Sequence, residues 1–221
     1  MSHRLDFATL SATGIHELKN LVGELTLLLD GLEATAAPQQ RPPLSAARFL
    51  CGRIHDRMAA LLTLYKLDGG RQAFAKEAHC PADVVEDIAA ELRTLAGRPL
   101  QIDTQMAVDL PAFWFFDREL VRAALLNAGH NALLYARERV RLTAAQEAGW
   151  LVFTVADDGA GYPAELLADK PIEPQKSRHG SGLGLYLAQA VAHAHEHGGR
   201  RGRVRLRNGD DGGAVFALML P

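Results

Sequence analysis

Two glycine clusters and one pair of asparagines have the types and spacing to handle a phosphorylated ligand. Val155-Ala156-Asp157-Asp158-Gly159-Ala160-Gly161 ends an apolar run in an acid and two glycines. Gly180-Ser181-Gly182-Leu183-Gly184-Leu185 opens directly into a helical pattern. Glycines ahead of a helix let backbone N–H groups and the positive helix end approach a phosphate. Taken alone, each cluster equally describes an ordinary Gly-rich turn. No Lys-Ser/Thr follows the glycines, which excludes a Walker loop, and no βαβ unit surrounds them, which excludes a Rossmann fingerprint. Asn127 and Asn131 stand four apart on one helix face. Their carbonyl oxygens are hard ligands of the kind Mg²⁺ prefers; alone, the pair equally describes a solvated polar face.

The surrounding pattern predicts the elements that must position these residues. PADVVEDIAAELRTLAG reads as a helix with a glycine stop, PLQIDTQM and FWFFD as strands, and RELVRAALLNAGHNALLYA as the helix bearing both asparagines. ERVRLTAAQEAGWLVFTVAD and RGRVRLRNGDDGGAVFALMLP read as hairpins, with LGLYLAQAVAHAHEH as a helix between them. One mixed sheet with helices on one face is the expected α+β sandwich. Ahead of it, Ile15, Leu18, Val22, Leu25, Leu29 and Leu32 form a heptad seam. The segment ATAAPQQRPP, ending in Pro42-Pro43, breaks it, and Cys51, Ile54, Met58, Leu61 and Tyr65 form a second seam that stops at Asp68-Gly69-Gly70. A lone helical hairpin buries such seams poorly, whereas two copies make a four-helix bundle. A homodimer through residues ~5–68 is therefore expected, with domains at 1–70 and 71–221.

Composition narrows the function classes. The 221 residues are 48% apolar and 23% charged, which excludes disorder over most of the chain. No apolar run approaches the roughly 20 residues of a membrane span, and no signal-peptide h-region is visible, so a cytoplasmic location is expected. Two cysteines, Cys51 and Cys80, make neither a disulfide framework nor a four-ligand zinc site. The net charge of −2 argues against a nucleic-acid partner. His193 and His197, four apart on the expected helix, lack a third ligand and make a poor zinc site. Trp114, Phe115 and Phe116 are expected in the core.

The order of the pieces is more specific than any one of them. An Asn-x-x-x-Asn helix precedes a strand ending Asp-x-Gly-x-Gly. A variable loop follows, then Gly-x-Gly-Leu-Gly-Leu opens a helix ending His197-Gly198-Gly199. In that order they resemble the ATP-binding domain of sensor histidine kinases, in the gyrase, Hsp90, histidine kinase and MutL superfamily. NAGHNALLYA matches the N box, DDGAGYP the first G box and HGSGLGLYLAQAVAHAHEHGG the second. Gly14-Ile15-His16-Glu17-Leu18-Lys19-Asn20 resembles the H box, so the likeness covers nearly the whole chain.

The resemblance implies roles for individual residues. Asp157 accepts a hydrogen bond from the adenine amino group of ATP, and Gly159 and Gly161 let the pocket close around the base. Asn127 and Asn131 hold Mg²⁺ on the phosphates, while Gly180, Gly182, Leu183 and Gly184 line the phosphate tail. His16, off the seam and largely neutral at pH 7, is the phosphate acceptor, with Glu17 orienting its ring and taking its proton. Asn20 positions a water that hydrolyses the phospho-aspartate of a response-regulator receiver domain, so phosphatase activity accompanies the kinase. With no sensor domain expected ahead of residue ~5, the chain reads either as a stand-alone kinase or as a kinase core governed by a separate sensor protein.

Three positions depart from the family pattern. Leu21 replaces the Pro that often follows the H box, which puts kink-based switching in doubt. Leu134 replaces a Lys common after the second N-box asparagine. The loop from Tyr162 to His179 is short for an ATP lid and has no F-box phenylalanine; Lys176, Arg178 and His179 are its phosphate-side groups or a solvated cluster. The alternative function is a histidine phosphotransferase of the same architecture whose nucleotide domain binds no ATP. The intact Asp157, Gly161, Gly182 and Gly184 favour the kinase. Residues 1–68 argue against a serine kinase of the anti-sigma-factor type.

Overall fold

The computed structural model describes residues 7–68, 75–167, 183–210 and 212–221. The chain divides into two compact units, Met1–Arg71 and Gln72–Pro221.

The first unit is a helical hairpin. Helix α1 spans Phe7–Thr35 without interruption, and α2 spans Arg41–Asp68. A 3-10 turn at Pro38–Gln40 joins them, with the Gln40 side chain accepting the Ala37 N–H at 3.1 Å. Pro42 and Pro43, expected to lie in the break, sit instead in the first turn of α2. That turn has no intrahelical acceptor for its N–H groups, so proline costs little there. Arg48 reaches Asp30 and Glu33, both at 3.6 Å, and Ser45 pairs with Glu33, which fixes the closed end. The expected seam divides in two. Val22 and Leu29 are half-buried within the hairpin, as Cys51 and Met58 are buried in α2. Leu18, Leu25 and Leu32 remain exposed, joined by Leu21 and Leu28 in a spacing of three and four.

The second unit is an α+β sandwich, as expected. A five-stranded mixed sheet has the order β2-β4-β5-β9-β8, built from Gln101–Met106, Arg139–Glu147, Trp150–Asp157, Ala214–Leu220 and Arg203–Asn208. Only the β2–β4 pair is parallel. Val140, Leu142 and Ala144 of β4, Leu151, Phe153 and Val155 of β5, and Phe216, Leu218 and Leu220 of β9 face one side and are buried. Helices α3 (Pro81–Leu95), α4 (Arg118–Tyr135) and α6 (Leu183–Ala194) cover that side. Arg139, Arg141, Arg203, Arg205 and Arg207 are exposed on the alternate positions, as the two-residue period of a strand requires.

Smaller elements complete the unit. β1 (Glu77–His79) pairs antiparallel with β3 (Trp114–Phe116), and a single helical turn, α5, spans Ala164–Leu167. Of the three aromatics expected in the core, only Phe116 is fully buried; Phe115, pointing to the other side of the strand, is exposed. The helix expected to run through His197 ends at Ala194. Glu196–His197 (β6) and Arg200–Arg201 (β7) form a tight hairpin across Gly198 and Gly199, both at positive φ. His193 and His197 therefore share no helix face. Among the described residues no group of three or more His, Cys, Asp or Glu gathers to hold a metal ion. Nor is any described helix long and apolar enough to cross a membrane.

Candidate nucleotide-binding site

Asp157 ends β5 and is half-buried. Its Oδ1 accepts the Gly159 N–H at 2.8 Å and the Ala214 N–H at 3.3 Å. Among the described residues no group donates to Oδ2. Burial raises the Asp157 carboxyl above its ordinary value; the two N–H groups work against that, and the Asp158 charge adds to it.

Three glycines crowd around this carboxylate for separate reasons. A Cβ on Gly159 would collide with the Tyr135 carbonyl at the end of α4. Gly161 takes φ +81°, and a Cβ there would lie 2.8 Å from the Asn208 amide. Gly213 takes φ +80° and packs on the Asp157 carbonyl. These glycines are therefore required by backbone approach, whether or not a ligand is bound.

Two residues that fix this corner are not distinguished by the sequence. Asp158 accepts the N–H groups of Arg137 at 2.7 Å and of Glu138 and Arg139 at 3.1 Å. Burial opposes its ionisation, and these N–H groups outweigh it, so its carboxyl stays below the ordinary range. Arg98 grips the same loop from its carbonyl side, donating to Ala136 and Arg137. Asn208 pairs with Tyr162 as a strand residue would: it accepts the Tyr162 N–H at 2.7 Å and donates to its carbonyl at 3.1 Å. Asn208-Gly209 reads in sequence only as a turn, and the second acid of Asp157-Asp158 only as surface charge. Burial and the Asp157 charge push the Tyr162 phenol above its ordinary range.

Asn127 is half-buried on α4 and Asn131 is exposed one turn on. A Cβ on Gly184, the second residue of α6, would overlap the Asn127 side-chain oxygen. The fold thus brings together Asp157, Gly159, Gly161 and Tyr162 at one corner, and Asn127 with Gly184 at another. Leu183 is the first residue of α6 and half-buried. Lys176, Gly180 and Gly182 lie outside the described residues, as do Arg178 and His179. In the first unit Glu17 and Asn20 are exposed on α1; His16 belongs to that helix, and its side chain lies outside the described residues.

This architecture is a known one. Residues 116–221 match the family described as histidine kinase-, DNA gyrase B- and HSP90-like ATPases. The whole chain is 27% identical over 228 aligned positions to the signal transduction histidine-protein kinase AfsQ2 of Streptomyces coelicolor, covering 40% of that protein. It is 29% identical to the sensor protein kinase CarS of Pseudomonas aeruginosa, over 93% of this chain and 44% of the relative. The chain thus spans less than half the length of both curated relatives. Among solved structures, full-length ShkA in complex with AMPPNP superposes with a TM-score of 0.68 at 23% identity, over 96% of this chain and 45% of that one. Acinetobacter baumannii AdeS superposes with a TM-score of 0.60 at 17% identity, over 100% of this chain and 98% of that one. Residues 116–221 of the second unit thus match the ATPase-type domain of that family, on a chain that is similar along its length to sensor histidine kinases.

Proposed function

We propose that the protein is an ATP-dependent histidine kinase of a two-component system that phosphorylates His16 and passes the phosphate to a response-regulator aspartate. The observation that carries this reading is the half-occupied Asp157 carboxylate. Oδ1 is held by two backbone N–H groups while Oδ2 is left to accept, and crowding glycines keep side chains out of the corner. A fixed acceptor beside a glycine-lined wall suits the amino edge of adenine. Gly159 and Gly161 bound that wall; Leu183 and Gly184 begin the phosphate side, where Gly180, Gly182 and Lys176 are assigned from the sequence.

Asn127 and Asn131 supply amide oxygens suited to Mg²⁺, and the absent side chain at Gly184 leaves Asn127 its place. When bound, Mg²⁺ neutralises charge on the transferring phosphoryl group. In the transfer step a His16 ring nitrogen bonds to the γ-phosphorus and the bond to the β-bridging oxygen breaks, releasing ADP. Glu17, adjacent on α1, accepts the proton from the other ring nitrogen. Asn20, one turn on, positions water for hydrolysis of the regulator's phospho-aspartate.

The intact first G box stands against the alternative phosphotransferase that binds no ATP. Asp157→Asn separates the two readings. It replaces a charged acceptor with an amide, an exchange worth roughly 1.5–3 kcal/mol, or about tenfold to 150-fold in affinity. Calorimetric titration with ATP and Mg²⁺ should show that weakening. Equal affinity of variant and wild type would show that adenine is not read at Asp157.

The exposed stripe of Leu18, Leu21, Leu25, Leu28 and Leu32 supports a homodimer through residues ~5–68, the stripes of two hairpins closing a four-helix bundle. Leu25→Asp places an unpaired carboxylate in that seam and should yield monomers by light scattering, with the second unit still folded. A Leu25→Asp protein that remains dimeric would remove the hairpin as the interface.

A further inference from the structure

Helices α4 and α6 pack against each other along their length, and two specific contacts mark separated points of that packing. At one, Gly184 near the start of α6 lies against the Asn127 side chain. At the other, the Asp117 N–H, at the N-cap of α4, donates to Nε2 of His195 just beyond α6, at 3.0 Å. Asn127 follows Asp117 by ten residues and His195 follows Gly184 by eleven. At 1.5 Å per residue the two points are therefore about 15 Å apart along the antiparallel pair.

The far point is fully built. His195 is 1% exposed and Asp117 3%. Because Nε2 faces an N–H donor, the ring proton sits on Nδ1 and is donated to the Val191 carbonyl at 2.7 Å. Asp117 Oδ1 accepts the Leu120 N–H at 3.0 Å, and Oδ2 accepts the Ala75 N–H at 3.1 Å. Ala75 is the first described residue of the second unit, and Lys76 beside it donates to the Glu196 carbonyl at 3.2 Å.

We infer that Asp117 and His195 are positioning residues for the nucleotide site: their buried pairing sets α6 against α4, and fastens both to the chain where it enters the unit at Ala75. The inference rests on the ATP-site reading for its consequence, not for the pairing itself. A slide or rotation of α6 along α4 strands the Asp117 N–H in an apolar interior, where an unmet donor is unfavourable. Without that penalty, non-directional apolar packing and the Gly184–Asn127 contact would be left to hold the register that the phosphate side needs.

Two substitutions separate positioning from mere core filling. Gln places an acceptor oxygen where Nε2 stands, whereas Asn reaches only the Nδ1 position. His195→Gln should keep Mg-ATP affinity within about threefold of wild type. His195→Asn, measured below its own melting temperature, should bind about tenfold more weakly. Hydrogen–deuterium exchange in the unliganded proteins should be faster over 118–135 and 183–194 in the Asn variant only.

The pH dependence supplies a further readout. Burial lowers the His195 pKa; the Val191 carbonyl and the Asp117 carboxylate oppose that, and Lys76 adds to it. The unfolded chain therefore takes up the proton more readily than the folded one. The stability the pairing contributes is fully present above the ordinary histidine value of about 6.5 and is lost as pH falls through the lower value of the folded protein. As pH falls from about 7.5 through that lower value, wild type should lose affinity and exchange protection relative to His195→Gln, which has no imidazole to protonate.

A folded Asn variant with wild-type affinity and exchange would overturn the inference, as would a Gln variant as impaired as Asn. If the Asn variant does not fold, identical wild-type and Gln pH profiles overturn it. If wild type binds no nucleotide, the ATP reading fails, and exchange alone then decides the pairing.

Discussion

His16→Ala is expected to abolish phosphate incorporation from ATP, while Asn20→Ala leaves it within a few-fold. The two residues stand four apart on the uninterrupted helix α1, so a side chain at 20 reaches the chemistry at 16 without supplying its nucleophile. Nucleophilic attack on ATP needs no ordered water, whereas hydrolysis of a phospho-aspartate does. Asn20→Ala should therefore slow dephosphorylation of a pre-loaded receiver domain by more than about tenfold, the loss expected for a positioning hydrogen bond. The exposure of Glu17 and Asn20 leaves this face open to both partners. An Asn20→Ala protein that loses kinase activity and keeps the phosphatase would reverse the assignment.

Gly184→Ala and Gly159→Ala are expected to fail in opposite ways. The added methyl at 184 meets the end of the Asn127 side chain, which can swing aside. The unit should stay folded and lose the magnesium ligand proposed at Asn127, weakening Mg-ATP binding by about 10–100-fold, the range for a displaced ligand support. The methyl at 159 meets the Tyr135 carbonyl, which is main chain and cannot swing. Gly159→Ala should therefore lower the melting temperature before any effect on nucleotide is considered. Titration beside thermal denaturation distinguishes the pair. A Gly184→Ala protein with wild-type affinity at saturating Mg²⁺ would show that Asn127 holds no metal.

The glycine and asparagine spacing was legible in the sequence through its likeness to a family pattern rather than through any local cause. A backbone that must approach Tyr135, Asn208 or Asp157 closely admits only glycine, and the gaps between such positions are set by strand and helix geometry. Hydrophobic alternation marked β4 and β8, whose exposed arginines follow the two-residue period, while the central strands β5 and β9 are buried on both faces and read as near-continuous apolar runs. What escaped has distant or very short causes. His195 is buried by Asp117, 78 residues away in sequence, and nothing near His195 announces it. The β6–β7 hairpin has strands of two residues, too short for any period to register, and its His197 continued the helical pattern on paper. Pro42-Pro43 marked a helix boundary in the right place but lies inside the helix it opens, since a first turn tolerates proline. The division of the leucine seam into a half-buried and an exposed stripe depends on where α2 lies, which heptad spacing alone does not fix.

Transfer of phosphate from ATP onto a histidine of this chain is the step the proposed function stands on. The most direct measurement is incubation of the purified protein with γ-labelled ATP and Mg²⁺, followed by acid and base treatment of the labelled chain. A phosphoramidate on imidazole predicts label that survives base and is lost in acid, and that is missing from His16→Ala. Label that survives acid, or a folded protein that binds ATP and takes up none, would contradict it.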